Sequence, residues 1–167
     1  MVVSQIAEPA QLFDTAALAQ NLLDEAYRAD LKIACAECFF GGSIAALFGN
    51  AERNASQFSG AFIFNCEHAI GEILGRGDAE VRRADAEDLA LDMARAALRG
   101  TGASLALGVV APRGVMRFGP VSFAAMDDRG NRWSDRLCSR DLPDRVIAGQ
   151  AIAFLQTCFR ESLSRRL

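Results

Sequence analysis

Apolar residues recur along the chain with two different periods, which predict helices in some segments and strands in others. Leu18, Leu22 and Ala26 follow one another at every fourth position, which is the spacing of one helix face. Asp14 stands where its carboxylate can cap the first free amides of that helix. The helical pattern predicts helices over residues 14–29, 43–48, 66–74, 85–99 and 142–164. Short apolar runs predict strands over residues 32–36, 58–64, 103–110, 119–126 and 132–138.

The order of these elements indicates the fold class. Helices and strands alternate over the first two-thirds of the chain, whereas the loop at 111–114 and the turn at 127–130 read as hairpin-like connections. Alternation favours parallel strands with helices on both faces, and hairpins add antiparallel strands. We therefore predict an α/β fold, a three-layer α/β/α sandwich with a mixed sheet. Residues 1–167 are predicted to form one domain with a core over about 14–164.

Charge and hydropathy exclude several classes of partner. With 18 basic and 21 acidic residues, the formal net charge is −3. Binding to a phosphate backbone needs a cationic surface. We therefore expect that the protein does not bind nucleic acid. Apolar runs reach about eight residues, against about 20 for a membrane helix. Residues 1–8 do not resemble a secretory signal. We expect a cytoplasmic protein that does not act at a membrane.

The segment Glu37-Cys38-Phe39-Phe40-Gly41-Gly42 ends the first predicted strand and precedes a helix. A glycine turn between a strand and a helix brings backbone amides to a helix N-terminus, where anions bind. This segment is therefore the first candidate ligand site.

The same segment, with Ala36 before it, resembles the A-E-S-C-T-G-G motif of the C-terminal domain of the competence/damage-inducible protein CinA. Three further segments resemble family motifs in the same order and spacing, and a helix at 86–97 lies between the first and the second of them. Residues 60–69 (GAFIFNCEHA) resemble G-x-V-x-Y-S-N-E-x-K, residues 107–112 (LGVVAP) resemble [ST]-G-I-A-G-P, and residues 117–124 (RFGPVSFA) resemble P-V-G-T-V-x-x-A.

The resemblance implies a three-layer α/β/α domain with a five-stranded mixed sheet, often a homodimer, and hydrolysis of the carboxamide of nicotinamide mononucleotide. In such members the serine of A-E-S is the nucleophile, with the tyrosine and lysine of Y-S-N-E-x-K nearby. A neutral lysine can take the proton from a serine and so activate it.

The reactive positions depart from this pattern. Cys38 stands in the position of the serine, Phe64 in that of the tyrosine and Ala69 in that of the lysine. The only lysine is Lys32, at the start of the first predicted strand, and the only tyrosine is Tyr27, on the first helix. The resemblance therefore predicts a divergent member that lacks the serine and lysine chemistry and acts as a nucleotide-binding or assembly module.

A thiol-dependent amidohydrolase is the alternative. A thiolate is a stronger nucleophile than a serine hydroxyl, and His68, the only histidine, could serve as its base. Adjacent helix positions point about 100° apart, however, so His68 need not face where the family lysine does. The catalytic candidates are thus Cys38 and His68, and whether the protein is an enzyme stays open.

The ligand is expected to be a pyridine nucleotide or another small molecule, with no metal and no cofactor. A C-x-x-C pair at Cys35 and Cys38 is a poor zinc site because a strand leaves the convergence of its thiols to chance. A content of 51% hydrophobic residues with 11 phenylalanines also predicts a homodimer, because that is more apolar surface than a small monomer hides. The predicted ligand-binding residues are Glu37, Phe39, Phe40, Gly41, Gly42, Phe64, Asn65, Cys66, Gly108, Arg113 and Arg145.

Overall fold

The computed structural model describes residues 14–112, 119–138 and 142–166. Five strands form one sheet in the order β2-β1-β3-β4-β5. The strands are β1 (Ile33–Cys38), β2 (Phe58–Phe64), β3 (Leu105–Val110), β4 (Pro120–Asp127) and β5 (Arg132–Cys138). The helices are α1 (Thr15–Arg28), α2 (Ser43–Gly49), α3 (Glu67–Leu74), α4 (Asp78–Arg83), α5 (Ala86–Thr101) and α6 (Asp144–Ser164), with a short 3-10 turn at Ala55–Gln57.

The sheet is mixed, as predicted. β1 pairs in parallel with β2 on one side and with β3 on the other, whereas β4 pairs antiparallel with both β3 and β5. The parallel pairs follow from helical crossovers and the antiparallel pairs from hairpin connections. All six residues of β1 and all six of β3 are buried, as expected for strands covered on both faces.

Two apolar layers cover the two faces of the sheet. On one face, α1, α2 and α6 pack over side chains such as Ile33, Leu107 and Val121. On the other face, α3, α4 and α5 pack over Ala34, Ala36 and Ala106. The small side chains on this second face let α5 approach the sheet closely, and the result is the predicted three-layer sandwich.

Two elements of the structure were not predicted. The 3-10 turn at Ala55–Gln57 and the helix α4 both lie in segments that the hydrophobic pattern left without an assignment. No helix among the described residues is long and apolar enough to span a membrane.

Candidate functional site

A cavity of about 350 Å³ lies at the carboxyl ends of the parallel strands. After β1 the chain continues to β2, on one side of β1 in the sheet, and after β3 it continues to β4, on the opposite side. The direction of the connections therefore reverses between β1 and β3. In open α/β sheets, ligands bind outside the carboxyl ends of strands at such a reversal. The volume lies within the range of small-molecule sites. The described lining residues are Phe39, Phe40, Gly41, Ser43, Asn65, Ala111, Pro112, Val121, Leu142, Asp144 and Ile147.

The turn between β1 and α2 has an unusual backbone. Phe39, Gly41 and Gly42 all have positive φ, of 62°, 74° and 86°. Glycine adopts this conformation without a steric penalty, but a bulky side chain rarely does. The amide of Phe39 donates to the carbonyl of Phe64 at 2.7 Å, which ties the turn to the end of β2. Residues held in such conformations cluster at ligand sites.

The side chain of Glu37 lies in the protein interior and accepts a hydrogen bond at the N-terminus of α2. Its side chain is fully buried, and its Oε1 accepts a hydrogen bond from the amide of Ala45 at 2.7 Å. Burial raises the pKa of Glu37, and the amides of the turn and of the first residues of α2 partly offset that rise. The amides that the sequence offers to an anion are therefore used by the protein's own carboxyl group, and Glu37 does not line the cavity.

Cys38 lies on the other face of the sheet. It ends β1 and is fully buried, in the layer that contains Ala36, Ile70 and Met93. The buried lining residues of the cavity, such as Phe40 and Val121, belong to the opposite layer. Since successive side chains of a strand point to opposite faces, Glu37 points toward α2 and Cys38 toward α3 and α5. The thiol is not among the groups that line the cavity.

His68 lies on the surface of α3. Its side chain is 72% exposed, and its Nδ1 lies 3.3 Å from Oδ1 of Asp78, at the start of α4. The His68 ring is therefore largely in solvent, whereas the Cys38 thiol is fully buried. The structure therefore does not place these two groups together in one solvent-accessible site.

The structure distributes the predicted ligand-binding residues over several environments. Phe39, Phe40, Gly41 and Asn65 line the cavity. Gly42 and Cys66 are the N-cap residues of α2 and α3, and Arg145 is exposed on α6. Phe64 packs on Phe62, with ring centroids 6.1 Å apart, and Gly108 faces the backbone of α5. Arg113 lies outside the described residues.

The model of the CinA C-terminal domain family matches residues 15–151, which is most of the chain. The chain belongs to the CinA C-terminal domain family. No curated protein matches the chain in sequence.

Solved structures of CinA proteins share the fold. The competence/damage inducible protein CihA from Agrobacterium tumefaciens has a TM-score of 0.74 at 21% identity, with 94% of this chain and 99% of that chain covered. The competence damage-inducible protein A from Klebsiella pneumoniae has a TM-score of 0.74 at 20% identity, with 91% and 98% covered. A CinA superfamily protein from Escherichia coli has a TM-score of 0.69 at 22% identity, with 90% and 92% covered.

Several cavity residues of this CinA domain were missed in the sequence. Ser43 follows the glycine turn, and its hydroxyl donates to the carbonyl of Phe40 at 3.3 Å. Asp144 opens α6 directly after Pro143, so Asp144 and not Arg145 lines the cavity. The Pro-Asp pair signals a helix start, but nothing in the local pattern says that this helix begins beside the turn after β1.

Proposed function

We propose that this CinA domain binds a small molecule of the pyridine nucleotide class in the cavity and does not carry out serine- and lysine-dependent amide hydrolysis. The observation that carries the proposal is the composition of the cavity. Phenylalanine side chains and polar groups line it together, while the only histidine and the only lysine of the chain lie elsewhere.

The lining favours a planar ring that carries hydrogen-bonding groups. Phe39 and Phe40 supply aromatic surface, and aromatic rings pack favourably against other rings. Ser43, Asn65 and Asp144 supply hydroxyl, amide and carboxylate groups around the same cavity. Polar groups placed in the wall of a cavity fix the orientation of a small ligand.

The positions of the only lysine and the only histidine argue against lysine-dependent serine chemistry. Lys32 precedes β1, and at about 3.3 Å per strand residue it lies roughly 20 Å from the turn after β1. A hydroxyl without an adjacent base is a weak nucleophile. Ser43 has neither lysine nor histidine as a neighbour in the cavity, so binding without turnover is the expected behaviour.

Calorimetric titration with nicotinamide mononucleotide tests the binding. Asn65→Ala removes an amide from the cavity wall and should weaken binding about tenfold, which corresponds to about 1.4 kcal/mol. Asn50→Ala is the matched control because Asn50 is exposed at the end of α2 and does not line the cavity. No binding at millimolar ligand, or equal weakening by the two substitutions, would contradict the proposal.

A further inference from the structure

A surface groove lies at the end of the sheet opposite the cavity, where β3 begins, β4 ends and β5 begins. Its volume is about 450 Å³, which lies within the range of small-molecule sites. The second half of α5 and the turn between β4 and β5 contribute most of its lining. The groove combines an apolar part with a basic part, formed by Leu98, Ala103, Met126, Arg95, Arg99 and Arg132.

The arginines of this groove have few acidic partners. Arg99 and Arg132 are exposed, and neither side chain forms a hydrogen bond or an ion pair with a residue that the structure describes. Arg95 pairs with Asp92 at 3.0 Å, but Asp92 also pairs with Arg76 at 2.6 Å. One carboxylate is therefore shared by two guanidinium groups.

The two aspartates that line the groove already have partners of their own. Asp127 is 1% exposed, and its carboxylate accepts hydrogen bonds from within the β4–β5 turn and from α6. The carboxylate of Asp128 pairs with Arg166. Positive charge therefore remains in the groove, although the formal net charge of the chain is −3.

The spacing of the arginines suits a ligand with more than one phosphate. Arg95 and Arg99 are four residues apart on α5, so they share one face of the helix, and like charges at this spacing destabilise a helix unless an anion compensates them. Arg132, at the start of β5, brings a third guanidinium from another element. A guanidinium can donate two parallel hydrogen bonds to phosphate oxygens, so three of them offer enough donors for two neighbouring phosphates.

We propose that this groove binds an organic diphosphate, a small molecule in which a diphosphate group is joined to an apolar ring. The guanidinium groups of Arg95, Arg99 and Arg132 hold the phosphates, and Leu98 and Met126 pack against the ring. The groove shares no described lining residue with the cavity, so this inference goes beyond the proposed function.

Calorimetric titration with adenosine diphosphate as the probe tests the site. Arg99→Ala and Arg132→Ala should each raise the dissociation constant about tenfold or more. Arg83→Ala is the matched control, because Arg83 is exposed in the last turn of α4, lies outside the groove and changes the net charge equally. No binding of the probe at millimolar concentration, or equal weakening by Arg83→Ala, would overturn the proposal.

Two further ligands separate the contributions of the phosphates and of the ring. Inorganic pyrophosphate should bind more weakly than adenosine diphosphate but more tightly than sulfate, and adenosine alone should not bind at millimolar concentration. Pyrophosphate and sulfate binding equally would mean an adventitious ion only and would overturn the proposal. Adenosine binding as tightly as adenosine diphosphate would overturn the role of the arginines.

Asn65→Ala decides whether the probe occupies this groove or the cavity. Asn65 lines the cavity and not the groove, so its substitution should leave the affinity for adenosine diphosphate unchanged. If Asn65→Ala weakened binding and Arg99→Ala did not, the probe would bind in the cavity, and the assignment of the groove would be overturned.

Discussion

Phe39 is the bulkiest of the three residues other than glycine that have positive φ in the described part of the chain, the others being Asp30 and Asn54. A left-handed conformation costs a residue other than glycine about 1–2 kcal/mol, and here it turns the chain at the mouth of the cavity. The two glycines that follow make a turn predictable from the sequence. Nothing local predicts that a phenylalanine takes the first left-handed position, because tertiary contacts such as its hydrogen bond to Phe64 impose it.

Cysteine reactivity tests where the structure places Cys38. Cys66 and Cys138 are exposed, whereas Cys35, Cys38 and Cys158 are buried, and burial raises the pKa of Cys35 and of Cys158 well above the usual thiol range. Because the thiolate is the reactive form, we expect two fast-reacting thiols in the native protein and five after denaturation. A chromogenic disulfide reagent measures both numbers.

The double variant Cys66→Ser/Cys138→Ser is the control and should show no fast thiol. If Cys38 were alkylated by iodoacetamide as fast as Cys66, its fully buried position would be contradicted and the thiol hydrolase alternative would gain support.

Asp127 anchors the β4–β5 turn through one buried carboxylate. It accepts hydrogen bonds from the amides of Arg129 and Asn131, from the side chain of Asn131, and from the hydroxyl of Ser162. Burial by itself would raise the pKa of Asp127, but these hydrogen bonds outweigh burial and hold the pKa below its usual value. A depressed pKa means that the folded state favours the ionised form. The resulting stability is present above the unfolded-state pKa and is lost as the pH falls through the folded-state value.

Asp127→Ala should therefore lower the free energy of unfolding by about 2–3 kcal/mol at pH 7. The difference from the wild type should shrink as the pH falls below about 4. Urea denaturation at several pH values measures it. Asp128→Ala is the control, since Asp128 is 43% exposed and its partner Arg166 is 15% exposed, and it should cost less than Asp127→Ala. A pH-independent deficit for Asp127→Ala would contradict the role of its charge.

At the scale of elements, periodicity predicted most helices and strands but not all of them. The predicted bounds of β2 and β5 match the structure, because turn signals bracket both strands. β1 extends two residues beyond its prediction, since Glu37 is polar and yet fully buried. α4 was missed because six residues are too few to show a period. Its signal is electrostatic, with Asp78 and Glu80 in the first turn and Arg82 and Arg83 in the last.

Gly108 shows how the packing of two elements can depend on one missing side chain. A Cβ placed on Gly108 in β3 would lie 1.9 Å from the carbonyl oxygen of Ala90 in α5. The helix backbone therefore touches the strand at this point. The resemblance suggested that Gly108 contacts a ligand. The structure shows instead that a side chain at this position would collide with the backbone of α5.

Gly108→Ala should cost about 3 kcal/mol or more, because the helix backbone must move to admit a methyl group. Gly49→Ala is the control. Gly49 ends α2 with nothing within 4 Å of its added Cβ, and the substitution should be neutral or stabilise by up to about 1 kcal/mol. Thermal unfolding of both variants gives the comparison. A Gly108→Ala protein as stable as the wild type would contradict this close contact of α5 with β3.

At the scale of the whole molecule, the sequence indicated a mixed sheet between two helical layers but not how the cavity is assembled. Phe39, Phe40, Gly41 and Asn65 were accessible to prediction because they follow two strands whose carboxyl ends meet. Leu142 lies just before α6, and Asp144 and Ile147 lie in its first turn. These residues are far along the chain, and the three-dimensional packing of α6 over the sheet brings them to the cavity.

The most direct test of the central claim is incubation of nicotinamide mononucleotide with the purified protein while the release of ammonia is followed. A cavity without the family's serine, tyrosine and lysine is predicted to bind without turnover, so the release should equal that of a protein-free control. Turnover at an enzymatic rate of about 1 per second or more would contradict the account. If Cys38→Ala then abolished that turnover, the thiol would be identified as the nucleophile.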